Sequence, residues 1–238
     1  MQFPDPLVPG RLLRREKRFL VHVRLASGEE VIAHTNNTGA MLGCNTPGSR
    51  VWLSPATNPR RKLAWTYELV ETGDPPVLVG INTQHANVIA DEAIAGGVVR
   101  ELAGHGWSRR EVAAGDGTRC DLLLGNGPRD APTARTWVEV KNVTLVEDGV
   151  ARFPDAVTLR GRRHLTALAD RVARGDRAAM LYVVQRADAM VFGPADAIDP
   201  AYGAALREAF AAGVEALAYR AEVTTTGIAL AAPLPVVL

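Results

Sequence analysis

Arg119-Cys120-Asp121-Leu122-Leu123-Leu124 and, after a gap, Trp137-Val138-Glu139-Val140-Lys141-Asn142-Val143-Thr144-Leu145 are the two runs that decide the fold of this chain. Both are short and apolar, and Gly125-Asn126-Gly127-Pro128 supplies turn chemistry after the first. They read as adjacent strands. Side chains alternate faces along a strand, so Glu139 and Lys141 point one way while Val138 and Val140 point the other, into a core. Pairing the two runs as a hairpin brings Asp121 beside Glu139 and Lys141.

Two carboxylates and one ammonium on one patch of sheet need a reason, because the carboxylates repel. A hard divalent cation supplies it. Mg²⁺ takes oxygen ligands, commonly one or two carboxylates together with waters or phosphate oxygens. Such a metal polarises a phosphoryl oxygen and acidifies water, and a nearby Lys orients that water and steadies developing charge. Asp121 and Glu139 are therefore the expected ligands of Mg²⁺ or Mn²⁺, with Lys141 beside them. The arrangement resembles the site pattern of the PD-(D/E)xK nucleases, with Cys120 where that superfamily has Pro. Taken alone the pattern is also met by a solvated strand face.

Composition fits a globular protein. The 238 residues are 47% hydrophobic and 22% charged, with a formal net charge of +1. Residues 1–80 carry 10 Lys/Arg against 7 Asp/Glu, so the basic excess lies in the first third. Two cysteines, Cys44 and Cys120, make neither a disulfide framework nor a zinc site. The start of the chain lacks a signal peptide, and no apolar run reaches the length of a membrane span. A soluble cytoplasmic protein is expected, with no membrane partner.

Residues 7–80 read as all-β, with strands expected at Gly10–Arg15, Arg18–Leu25, Glu30–His34, Arg50–Leu53, Ala64–Glu71 and Val77–Ile81. That spacing suggests a small closed barrel. An OB-like barrel is preferred, since that fold commonly binds oligonucleotides, and an SH3-like barrel fits the same pattern. Basic residues cluster here: Arg11, Arg14, Arg15, Lys17 and Arg18, then Arg60, Arg61 and Lys62. Phe19, Trp52, Trp65 and Tyr67 lie among them. Charges that track phosphates beside rings that stack bases are what a single-stranded nucleic-acid site requires. The same rings also suit a barrel core.

A boundary is expected near residue 80, dividing the chain into 1–80 and 81–238. A helix over Ala86–Ala95 follows, with Thr83 as its cap. Glu101 lies on a short turn beyond it, and Glu111 on a strand over Trp107–Ala113. Asp155 or Thr158 caps a helix to about residue 173, with Leu159, Leu165, Leu168 and Val172 on its apolar face. Arg160, Arg162, Arg163 and His164 crowd its N-terminal end, where cations oppose the helix dipole, which points to an anionic partner. A buried strand over Ala178–Gln185, a helix from Asp199-Pro200 and a strand over Val214–Val223 complete the pattern. The fold class expected is two-domain α+β: a small OB-like barrel, then a restriction-endonuclease-like α/β mixed sheet flanked by helices.

The chain resembles the sugar fermentation stimulation protein A family over nearly its whole length. Lys17-Arg18-Phe19-Leu20, Asn37-Thr38-Gly39-Ala40-Met41, Thr46-Pro47-Gly48 and Val79-Gly80-Ile81-Asn82-Thr83 carry the resemblance in the first part. Glu139-Val140-Lys141-Asn142-Val143-Thr144-Leu145, Phe153-Pro154-Asp155-Ala156-Val157-Thr158, and Gly213-Val214-Glu215 carry it in the second. Thr118 stands where the family usually has Ser before Arg119, and Gln185-Arg186 falls at a variable place. The resemblance implies an OB-like barrel, a PD-(D/E)xK-like domain, DNA binding with little sequence preference, and a role in regulating sugar (maltose) utilisation.

Two functional readings follow. One is a Mg²⁺- or Mn²⁺-dependent DNA nuclease using Asp121, Glu139 and Lys141, with Glu101 or Glu111 as further ligands through water. The other is a non-catalytic DNA-binding regulator. Arg14, Lys17, Arg18, Arg60, Arg61, Lys62, Trp65, Arg119, Arg160 and His164 are the residues expected to meet DNA. The expected partner is single- or double-stranded DNA, with a homodimer left open.

Overall fold

The computed structural model describes residues 1–238 except Thr57, Pro59 and Asp116. Six strands come first: β1 (Val8–Glu16), β2 (Leu20–Leu25), β3 (Glu30–His34), β4 (Arg50–Pro55), β5 (Trp65–Thr72) and β6 (Val77–Gly80). The antiparallel order β3-β2-β1-β4-β5-β6 closes on itself where β3 pairs in parallel with β5. Five strands thus form a closed OB barrel with β6 appended to β5. A side chain on Gly10 would meet Val23 Cγ1 at 2.5 Å and Arg24 O at 2.9 Å, so β1 can lie this close to β2 only because Gly10 has none.

Two expectations for the barrel need correction. The second strand begins at Leu20 and not at Arg18, because Lys17 and Arg18 form the β1–β2 turn with φ of 49° and 64°. Such hairpin turns need positive φ at both central residues, and no Gly here signals it. The aromatic residues are also mostly inside. Tyr67 is fully buried in the barrel core and Trp65 packs half-buried against it. Trp52, only 6% exposed, lies in a core shared with the second part of the chain. Phe19 alone of the four is exposed, at 42%.

The second part contains α1 (His85–Ala95), a 3-10 turn (Arg100–Leu102), β7 (Trp107–Gly115), β8 (Thr118–Asn126), β9 (Ala134–Val143), β10 (Leu145–Glu147), β11 (Val150–Phe153), α2 (Leu159–Ala173), β12 (Arg177–Val184), β13 (Val191–Pro194), α3 (Pro200–Ala211), β14 (Glu215–Val223) and β15 (Ile228–Leu234). The main sheet has the order β15-β14-β12-β9-β8-β7. β7, β8 and β9 meander antiparallel, β9, β12 and β14 run parallel, and β15 returns antiparallel. The mixed sheet is as expected, with an added edge strand. β10, β11 and β13 form a separate small sheet that the sequence pattern does not announce.

Both faces of the main sheet are covered, which parallel strands require. Leu122, Leu124, Val138, Val140, Leu181 and Val183 pack toward α1, Trp52 and Leu69. Leu123, Trp137, Met180, Tyr182 and Val184 pack on the other face with Leu165, Leu168 and Leu206 of α2 and α3. The period-2 alternation of β9 is thus intact, but neither face is left to solvent.

Helix ends are set by local chemistry. Thr158 caps α2, its side chain accepting from Gly161 N at 3.0 Å. Asp199 caps α3 through Tyr202 N and also accepts from Thr158 N at 2.8 Å, so one carboxylate ties the starts of both helices. Thr83 does not cap α1: that position is Gln84, which makes no side-chain cap, and the Thr83 hydroxyl bonds Asn36 O instead. Leu159, in the first turn of α2, is 55% exposed and lies off the apolar face that Leu165 and Leu168 form. Among the described residues no helix is long and apolar enough to cross a membrane.

Candidate active site

β8 and β9 pair from Leu122↔Val138 outward to Asn126↔Ala134, and the ladder stops before Asp121 and Glu139. At this fork the Asp121 carboxylate reaches across the gap, accepting Val140 N at 2.7 Å through Oδ2. Its Oδ1 accepts from Asn87 of α1 at 2.9 Å. Glu139, one residue earlier on β9, faces α2. It is only 3% exposed, so it does not belong to a solvated strand face. Both Lys141 Nζ and His164 Nδ1 meet its Oε1. Arg160 Nε then donates to His164 Nε2 at 3.2 Å, so a chain of contacts runs Lys141–Glu139–His164–Arg160.

The two carboxylates are driven apart electrostatically. Burial and the Glu139 charge push the Asp121 carboxyl above its ordinary value, against the pull of Val140 N–H, Lys141 and Asn87. Burial also raises Glu139, but the bond from His164 and the charge of Lys141 outweigh it and hold that carboxyl below its ordinary value. Paired groups with opposed shifts are a mark of acid–base or metal chemistry.

Lys141 and Asn142 open onto a cleft of about 380 Å³. Its opposite wall is the barrel segment Asn36–Gly39, which joins β3 to the rest of the barrel. That wall is held from both sides. Arg15 donates to Asn37 O at 2.8 Å and Gly39 O at 3.0 Å. Asp155, from beyond β11, accepts Met41 N at 2.9 Å. Gly39 is required here, since a side chain would sit 2.5 Å from both Asp155 oxygens. Asn142 in turn is bonded by buried Gln185, at the end of β12 as that strand's polar end suggested. Arg186 is turned to Asp188 and Thr144 O.

The other expected residues fall in separate places. Glu111 is exposed, with φ of 53°, and lines a second cleft with Arg119, Arg160, Arg163 and His164. Glu101 is not brought to the carboxylates: it accepts the Tyr219 hydroxyl at 2.6 Å, and its backbone oxygen bonds Arg177 at the start of β12. In the barrel, Arg14 pairs with Glu16 at 2.6 Å, while Lys17 and Arg18 sit exposed on the hairpin turn. Arg61 and Lys62 line a further cleft with Phe3, His34, Glu68 and His85, near exposed Arg60. Thus Asp121, Glu139, Lys141, His164 and Arg160 converge, and Arg61 and Lys62 line a separate cleft.

Sequence reasoning missed Asn87 and Asp155 as positioning residues. It placed His164 among the residues expected to meet DNA and not beside Glu139, although Arg160 and His164 at i and i+4 share a helix face.

Comparison with known proteins agrees with this fold. A family model described as "Sugar fermentation stimulation protein RE domain" matches residues 84–227, and one described as "SfsA N-terminal OB domain" matches residues 13–81. The chain belongs to the sugar fermentation stimulation protein family. The family's homologue from Geobacter metallireducens is 55% identical over 100% of both chains, and that from Pseudomonas aeruginosa is 51% identical over 99% of both. Among solved structures, the family member from Pyrococcus furiosus, determined in complex with Ca²⁺, has a TM-score of 0.88 at 27% identity, covering 100% of this chain and 98% of that one.

Proposed function

We propose that this family member is a divalent-metal-dependent phosphodiesterase acting on DNA with little sequence preference. The observation that carries the reading is the convergence of Asp121, Glu139 and Lys141 at the fork between β8 and β9, where Lys141 borders a cleft. The donor set fits a hard divalent cation. Two carboxylates supply oxygen ligands, the Asp121 carboxyl is raised by burial and by a neighbouring negative charge that a cation would relieve, and among the described residues Lys141 and His164 both meet Glu139 at Oε1. The Ca²⁺ held by the Pyrococcus furiosus relative supports a divalent ion in this fold.

Asp121 and Glu139 would hold Mg²⁺ or Mn²⁺. Bound there, the ion supplies polarisation of a phosphoryl oxygen and acidification of water. The protein's own residues do the rest. Lys141 orients the attacking water and offsets charge developing on the phosphate. His164 and Lys141 hold the Glu139 carboxyl below its ordinary value, Arg160 fixes the His164 ring, and Asn87 and Val140 N–H fix Asp121. Buried free Cys44 and Cys120 suit the reducing cytoplasm.

The test is cleavage of labelled single- and double-stranded DNA with Mg²⁺, Mn²⁺ or EDTA. Wild type is compared with Asp121→Ala and Lys141→Ala. Metal-dependent cutting that both substitutions abolish supports the reading. Cutting that survives Asp121→Ala refutes the site assignment, and no cutting with either metal refutes the nuclease and leaves a DNA-binding regulator of sugar metabolism as the alternative.

A further inference from the structure

On α2, Arg160, Arg163, Ala167, Arg171 and Arg174 follow one another at intervals of three or four, so they share one face. This face borders a groove whose opposite wall is the β7–β8 hairpin. Two clefts, of about 320 and 350 Å³, share Thr118 and Arg163 and make the groove continuous. Arg119 of β8 joins from the hairpin side. At one end the groove reaches His164, whose ring bonds Glu139.

These arginines have few partners. Arg171 is held in place over the Trp137 ring, 4.1 Å from its centroid, and bonds Ala114 O. Arg160 uses only Nε, on His164. Arg119, Arg163 and Arg174 are exposed and, among the described residues, make no ion pair or side-chain hydrogen bond. Among the described residues lining the groove, the acidic groups are Glu111 and Asp170, two against five arginines. Three of the four arginines in the row are not needed for packing, and Arg160, in the first turn of α2, lies where the helix dipole disfavours it. An anionic partner accounts for both facts.

We propose that this groove seats one phosphate backbone of duplex DNA and leads it to the Glu139 site. The proposal rests on the nuclease reading for the purpose of the groove, but not for binding itself. The row from Arg160 to Arg174 is about 21 Å long at the helical rise. That is long enough to follow several consecutive phosphates of one strand. Exposed aromatic rings, which single-stranded sites use to stack bases, are absent from the described residues lining both clefts. Contacts to phosphate alone suit a duplex read without regard to sequence.

The experiment measures binding of a fluorescent random-sequence duplex by anisotropy, in EDTA, over a range of salt. The full chain is compared as wild type, Arg163→Glu/Arg174→Glu, and Arg60→Glu/Lys62→Glu in the barrel, with thermal melting to confirm that each is folded. The groove variant should bind roughly tenfold or more weakly, and its salt slope should fall by about 2. The milder Arg163→Gln/Arg174→Gln pair should show the same slope change if the reversal unfolds the chain. Unchanged affinity in a folded groove variant, loss confined to the barrel variant, or wild-type binding of single strands only would overturn the proposal. Because binding is read without metal or cleavage, a protein that binds through this groove yet never cuts DNA sinks the nuclease reading and upholds this one.

Discussion

Asn87 Nδ2 donates to Asp121 Oδ1 at 2.9 Å, so a helix packed on one face of the sheet fixes a carboxylate whose work lies at the sheet's fork. Asn87 touches neither Glu139 nor Lys141 by hydrogen bond. Its removal leaves Asp121 held by Val140 N–H alone. Outer partners of this kind commonly change metal affinity or activity by about 10–100-fold. Asn87→Ala should therefore lower DNA cleavage within that range, and raising Mg²⁺ should recover part of it. A metal titration of cleavage rate checks this; a loss that no metal concentration relieves would place Asn87 elsewhere in the mechanism.

Asp155 and Met41 join the small-sheet side of the second part to the barrel wall of the cleft. Asp155→Ala leaves the Met41 amide without its acceptor. The expected cost is about 1–3 kcal/mol, read from urea unfolding. The segment 36–41 should also become a site of limited proteolysis. Unchanged protease resistance would show that the bonds from Arg15, Asn45 and Thr83 suffice to hold the wall.

Glu68 is a buried barrel carboxylate bonded by Ser54 at 2.7 Å, His85 at 2.8 Å and Asn82 at 3.0 Å. Burial raises its pKa, but these bonds, led by His85, outweigh it and hold the carboxyl below the ordinary value of 4.5. A depressed folded-state pKa stabilises the native state above the ordinary value, and that stability drains away as pH falls through the lowered one. Wild type should therefore lose stability relative to Glu68→Gln between about pH 5 and about pH 2. Parallel stability curves for the two proteins over that span would contradict it.

Cys44 and Cys120 are buried, and burial pushes their thiols up to about 11 and about 12 respectively. The thiolate is the reactive form, so neither should react with a disulfide reagent near about pH 8 while the chain is folded. Both should react after denaturation. Fast labelling of Cys120 in the native protein would mean that the β8–β9 fork opens readily.

The β8 and β9 runs could be read because their alternation is local: Val138 and Val140 had to face opposite to Glu139 and Lys141 whatever lay above them. The barrel was legible for the same reason, through short strands punctuated by turns. What lay across the sheet was not. That His164 meets Glu139 depends on α2 packing over β9, and no spacing in the chain encodes that distance. Glu101 illustrates the reverse error. Its carboxylate suited a ligand by type, but the 3-10 turn carries it to Tyr219 and Arg177. Trp52 suited either a base-stacking ring or a barrel core by its sequence; its neighbours come from a helix that begins thirty-odd residues later.

That last contact bears on how such a protein can change over time. Trp52 and Leu69 of the barrel are buried together with Ile89, Ala90 and Ile94 of α1, so the joint is made of core and not of tether. A barrel joined in this way is not an interchangeable cassette. Recombination that replaced it would strip the apolar cover from α1, and a substitution on one side of the joint would have to be answered on the other. The two parts are bound to be inherited as one unit.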